Sequence, residues 1–292
     1  VAWFFPAVPG ARIVILRRVI YLFVIFDVLV LVNGVVAHAH VPAGLYRPLA
    51  LQRVLHVPAP TPGWAQALRV GLILACLIAA TGRLPRLLGW PIAFGYLEWA
   101  LLAQSYGKVN HDHLALVVAL FVLPTVPVRT PSTEPDERAG WAIRCVQLAV
   151  VATYALSAWA KIRRGGWDWP TGSTFLWAVE RRGTALGRPL VHVPELLAAA
   201  QWFVVVLEVA APLVLLLRGR VLAAVVGCYL MFHLVTWATI SIHFLPLVIC
   251  WSAFAPLEVL TGRQFRPMRL PDPVPQFGSP PGSRWRLFAN RR

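Results

Sequence analysis

Charge is scarce in this chain. Charged residues make up 13% of its 292 positions, while hydrophobic ones make up 58%. A soluble domain carries roughly a quarter charged residues, so a water-soluble globule is excluded as the main architecture. Lysine is scarcer still, for among 27 basic residues only Lys108 and Lys161 are not arginine. Four cysteines, Cys76, Cys145, Cys228 and Cys250, fall inside apolar runs and show no CxxC spacing. That pattern excludes a disulfide framework or a thiol redox centre and reads as small buried side chains. No internal repeat is visible.

Long apolar runs are abundant instead. Several exceed the roughly 18 residues that mark a membrane span. About eight spans are expected, over 13–37, 64–81, 86–104, 112–128, 140–162, 195–217, 219–240 and 242–260. The run Ile13–Ala37 is too long for a signal peptide and lacks its cleavage signature, so it reads as a retained first span. The expected fold is all-α, a polytopic transmembrane helical bundle that passes several times through the cell membrane. It occupies residues 1–262, followed by a Pro-rich basic cytoplasmic tail over 263–292. Within the joint 163–194, TGSTFLWAVERRG reads as a short interfacial helix with Phe175, Leu176 and Trp177 toward lipid.

The formal charge of +15 points to membrane lipids and not to nucleic acid, because the arginines sit between spans and in the tail. Their distribution favours both the N-terminus and the C-terminus inside. The basic cluster at 163–188 then lies outside, against the positive-inside rule, which suggests another task for those arginines.

Ionisable residues within spans are costly and mark function or a paired contact. Here they are Asp27, Glu98, Arg144, Lys161, Glu208, His233 and His243. The expected topology brings Lys161, His111, His233 and His243, from four elements, to the same outer half of the bilayer. Asp27, Glu98 and Glu208 are expected nearer mid-depth, paired with Arg144 or hydrogen-bonded between helices. Lys161 has two readings. It is either a side chain snorkelling to the interface, or a base, since a desolvated Lys can become a neutral amine whereas Arg never gives up its proton. The pairs His38/His40 and His111/His113 have a metal-like spacing. Residues two apart diverge on a helix, however, and nothing completes a set, so no metal is expected. A bis-histidine haem through His233 and His243 lacks an attachment motif. Trp159, Trp167 and Trp169 bracket Lys161 as belt residues or as walls for a flat apolar ring.

Four stretches carry a family resemblance, in order: RRVIYLFVIFDVL with Asp27, KVNHDHLAL, YALSAWAKIRRGGWDWPTG, and MFHLVTWATISIHFLPLVICWSAFAP. Together with EVAAPLVLLL they cover roughly residues 12–260. The chain resembles the membrane domain shared by vitamin K-dependent γ-glutamyl carboxylase and its bacterial relatives, the HTTM (horizontally transferred transmembrane) proteins. The resemblance implies a site using reduced vitamin K or menaquinol and no metal. Lys161 would be the base that deprotonates the quinol, and His111 a hydrogen-bonding partner of its oxygen. Asn110, Tyr154, Trp159, Trp167, Trp169 and His233 would shape the pocket. Oxygenation of the quinol gives a strongly basic alkoxide, which takes a γ-proton from glutamate before carbon dioxide adds. That chemistry implies a protein or peptide substrate at the outer face.

Two departures matter. The animal enzyme has adjacent lysines where this chain has Ala160–Lys161, and its large soluble C-terminal region is replaced here by the short tail. A non-catalytic module that binds a quinone, lipid or partner protein therefore stands beside the enzyme reading. A transporter is a third reading, which the lack of an inverted repeat and of paired broken spans opposes.

Overall fold

A computed structural model describes residues 3–262, except Lys108, Arg129 and the side chain of Pro85. The expected tail, 263–292, lies outside the described residues, and so does Lys108. The regular structure of the described chain is helical apart from a two-residue antiparallel ladder pairing Val8 with Asp136 and Pro9 with Pro135.

Nine helices matter for the site. They are α1 (Gly10–Phe26), α2 (Pro62–Ala80), α3 (Pro85–Gln104), α4 (Leu114–Val122), α5 (Glu137–Gly165), α6 (Thr174–Arg182), α7 (Pro194–Ala210), α8 (Gly219–Ile240) and α9 (Leu245–Cys250). Among the described residues, four helical segments are long and apolar enough to cross a membrane: α2, α5, α8, and α7 with its 3-10 extension to Leu216.

The expected span 86–104 is one continuous helix, α3, whereas three others are shorter or broken, for visible reasons. The first helix passes at Asp27 into a π-turn ending at Leu31, where the Val32 amide reaches back to the Asp27 carbonyl at 2.7 Å. The expected span 112–128 is helical and apolar only over Leu114–Thr125, because Pro124 tightens its end into a 3-10 turn. The expected span 242–260 is a helix only over Leu245–Cys250, followed by a 3-10 turn to Phe254. Pro256 then forces Ala255 into extended backbone.

The core forms where α1 packs on α2, α2 on α3, α3 on α4 and α4 on α5, with α9 laid against α4. Its largest fully buried side chains are aromatic: Trp99, Trp251, Tyr21, Tyr96 and Tyr229. The buried Arg17 donates to the Val128, Leu123 and Val126 carbonyls at 2.8, 3.2 and 3.0 Å, satisfying the chain where the α4 segment ends. Arg12 Nε donates to Glu258 Oε2 at 2.6 Å, joining the first helix to the last described turn. Gly140 is required where α5 begins, since a Cβ there would meet the Pro6 carbonyl oxygen at 1.6 Å.

Arg144 does not pair with an intramembrane acid, as its position had suggested. It donates to Gln147 Oε1 at 2.8 Å and lies 4.3 Å from the Trp3 ring centroid. The helix α8 buries only Tyr229 and His233. Its remaining side chains are at least partly open, as expected for a helix that meets lipid.

Candidate functional site

Helix α5 starts at Asp136, whose carboxylate accepts the Ala139 amide at 2.8 Å, and runs to Gly165. Positions 154, 157 and 161 follow the i, i+3, i+7 spacing of one helical face. Tyr154, Ser157 and Lys161 accordingly line one cavity of about 1090 Å³. The Lys161 ammonium pairs with Glu208 and donates to Ser157 Oγ at 3.0 Å. Ser157 in turn donates to Glu208 Oε1 at 3.1 Å. The Trp169 ring centroid lies 5.0 Å from Lys161 Nζ, within cation–π range.

Glu208 comes from α7, whose buried residues Leu197, Gln201, Val204, Val205 and Glu208 form one stripe. Gln201, two turns before Glu208, is buried and uses both ends of its amide. It donates to the carbonyls of Trp169, Pro170 and Gly172 at 3.0, 3.2 and 2.9 Å, and it accepts the Phe175 amide at 2.6 Å. One helix therefore carries both the counter-charge of Lys161 and the anchor of the turn that places Trp169 over it.

Two turns before Lys161 on the same helical face, the Tyr154 hydroxyl lies 2.5 Å from His233 Nε2 and accepts from Trp251 Nε1 at 3.0 Å. His111 also lines the cavity, and the Phe244 ring stands 6.0 Å from its imidazole and 5.1 Å from that of His233. Most of the lining is apolar, from residues such as Leu197, Phe203, Val204, Met231 and Ile240.

Of the four side chains expected to converge, the structure brings three to this cavity, Lys161, His111 and His233; His243 is exposed and lies outside its walls. Among the expected pocket residues, Tyr154, Trp169 and His233 line it. Trp159 and Trp167 do not: they are 63% and 66% exposed, and Trp167 stacks on Trp202. Asn110 also lies outside the walls, with its backbone N–H donating to Gln104 Oε1 at 3.1 Å. In α6, Trp177 is exposed as expected, but Phe175 turns inward onto the cavity.

Three further residues emerge. Ser157 was visible in the spacing to Lys161, and Glu208 as an acid in an apolar run. Gln201 is a polar residue in the same run, but its partners are loop carbonyls, which leave no side-chain signal in a sequence.

Beside the cavity lies a second polar cluster. Tyr96 donates to Asp27 Oδ2 at 2.8 Å, His113 Nδ1 lies 2.9 Å from Asp112 Oδ1, and His113 Nε2 faces Asp27 Oδ1 at 3.6 Å. All four side chains are buried. They fasten the segment holding His111 to the first and third helices. Among the described residues, no group of three or more His, Cys, Asp or Glu side chains is gathered where it could hold a metal ion. His38 stacks on Tyr106, their ring centroids 4.6 Å apart.

No protein family matches the chain, and neither a curated protein nor a solved structure matches it.

Proposed function

We propose that this is an integral membrane protein of about eight passes, with both ends inside, whose cavity binds a reduced quinone of the vitamin K or menaquinol type. Four helices long and apolar enough to cross support the membrane assignment. The remaining helices α1, α3, α4 and α9 complete the passes in this reading. One observation carries the site assignment: Lys161 lies in an apolar cavity, hydrogen-bonded to Ser157 and Glu208 and capped by Trp169.

Two orphaned atoms fit such a ligand. Glu208 Oε2 and His233 Nδ1 are buried and have no hydrogen-bond partner among the described residues. Leaving such groups unpaired costs about 1–3 kcal/mol each, which a ligand bearing a hydroxyl and an acceptor oxygen would offset. When bound, a quinol supplies an acidic ring hydroxyl and, after oxygenation, a strongly basic oxygen.

Lys161 is the base in this reading. Lys161 takes the quinol's proton, and Glu208 beside it stabilises the ammonium that forms. Ser157 bridges both groups and keeps the amine aimed during the transfer. Carboxylation of glutamate in a protein or peptide at the outer face is the coupled step.

The ion pair itself favours a second reading, since an ammonium held by a carboxylate is not a base. In that case the cavity only binds its quinone or lipid. Epoxide formation from reduced vitamin K or menaquinol under oxygen separates the two. The quinol supplies two electrons, one oxygen atom enters the ring, and the other leaves as water. Epoxide from the wild type but not from Lys161→Ala is expected. Quinone binding without epoxide from the wild type selects the binding module, and absence of quinone binding ends both.

A further inference from the structure

We infer that His233 donates a hydrogen bond from Nδ1 to an oxygen of the cavity's ligand, and that Tyr154 and Trp251 hold it in the tautomer able to do so. This rests on the quinone reading and specifies how the ring is recognised.

An indole nitrogen only donates, so the Trp251 contact at 3.0 Å places an N–H on the Tyr154 oxygen. The Tyr154 hydroxyl must then direct its own hydrogen elsewhere. Its one acceptor among the described residues is His233 Nε2, at 2.5 Å. A neutral imidazole that accepts at Nε2 carries its hydrogen on Nδ1. That nitrogen is buried and has no partner among the described residues.

The surroundings offer no substitute acceptor. Phe232 and Phe244 stand 4.9 and 5.1 Å from the imidazole between ring centroids, and neither side chain has a polar atom. His233 is 5% exposed, so water does not freely replace the missing partner. It is also one of only two residues that α8 buries, the other being Tyr229. A lipid-facing helix thus turns this imidazole inward among cavity-lining residues, with its donor tautomer set by a relay behind it. A ligand matching this donor has an acceptor oxygen on a flat ring, as a quinone carbonyl or quinol oxygen does. A saturated acyl chain has none.

The test uses oxidised menaquinone with ¹³C at each ring carbonyl in turn, bound to the full chain in detergent, and infrared difference spectra. In the wild type, one labelled carbonyl stretch is expected at lower frequency than the other, as a hydrogen-bonded carbonyl. His233→Phe is expected to return that band to the free position and to weaken binding about tenfold. Tyr154→Phe preserves the ring but removes the relay; it is expected to split the band between shifted and free positions. Should His233→Phe fail to fold or bind, Tyr154→Phe decides alone. A shifted band unchanged in the variants overturns the role of His233 while leaving quinone binding intact. Failure of the wild type to bind menaquinone overturns this inference and the quinone reading together.

Discussion

Glu208 meets Lys161 across 47 positions of chain, and Ser157 bridges the two from one helical turn before the lysine. The two charges are unequally sheltered. The Lys161 side chain is 20% exposed and the Glu208 side chain 6%. A lysine stem is long and flexible enough to carry its charge toward water, whereas the Glu208 carboxylate has no such exit. The pair therefore protects the acid more than the base.

This asymmetry predicts the outcome of a double-mutant cycle. Lys161→Met strands Glu208 and should destabilise the protein by about 3 kcal/mol, while Glu208→Gln should cost only about 1 kcal/mol. The double variant should be more stable than the sum of the two losses implies. Thermal unfolding in detergent measures all four. Additive losses, or a costlier Glu208→Gln, would remove the pair as an energetic unit.

Gln201 gives a second prediction. Gln201→Leu leaves three loop carbonyls and one amide without their partner and should cost about 2–4 kcal/mol. Gln201→Glu should be no better, because a carboxylate would face the same three carbonyls. Both variants should release the turn carrying Trp169, read as faster proteolytic cleavage in 166–174. A Gln201→Glu protein as stable and as protease-resistant as the wild type would contradict the role given to the amide.

These residues show what the sequence made legible. Lys161 stood out because lysine is so rare here, and Tyr154, Ser157 and Lys161 share a face by spacing alone. Glu208 was visible as an intramembrane acid, expected to pair with Arg144 or to hydrogen-bond between helices; it does the second, and Arg144 lies instead beside Gln147 and Trp3. Hydropathy finds apolar runs without seeing where they bend. It could not show the π-turn at Asp27 or the extended Ala255 before Pro256. Of the three tryptophans read as belt residues or pocket walls, only Trp169 is a wall, for a related reason. Trp159 is two positions before Lys161 and so points away from it on the helix, and Trp167 sits beyond the helix end, stacked on Trp202.

The cluster around Asp27 predicts graded losses. Asp27→Asn retains an acceptor for the Tyr96 hydroxyl but removes the charge facing His113 at 3.6 Å. It should cost about 1 kcal/mol, whereas Asp27→Leu also leaves the buried Tyr96 hydroxyl without its acceptor and should cost about 3 kcal/mol. Equal losses in unfolding measurements would mean that shape alone matters at this position.

The last prediction concerns pH and His111, at the mouth of the cavity. Its imidazole is open on one side, yet enough protein surrounds it that lost hydration lowers its pKa from 6.5. Asp112 opposes that shift, Lys161 adds to it, and Glu208 opposes it again. With the folded pKa below the unfolded one, the unfolded chain binds more protons over the interval between them. Stability from this residue is therefore complete above pH 6.5 and is lost as the pH falls through the lower, folded value. His111→Gln removes the titration and retains a polar side chain of similar reach. Between about pH 7.5 and about pH 5.5, the wild type should lose more thermal stability than His111→Gln, with the difference small because the ring is partly solvated. A variant with an equal or steeper acid loss would show that His111 is not held in its neutral form at the cavity mouth.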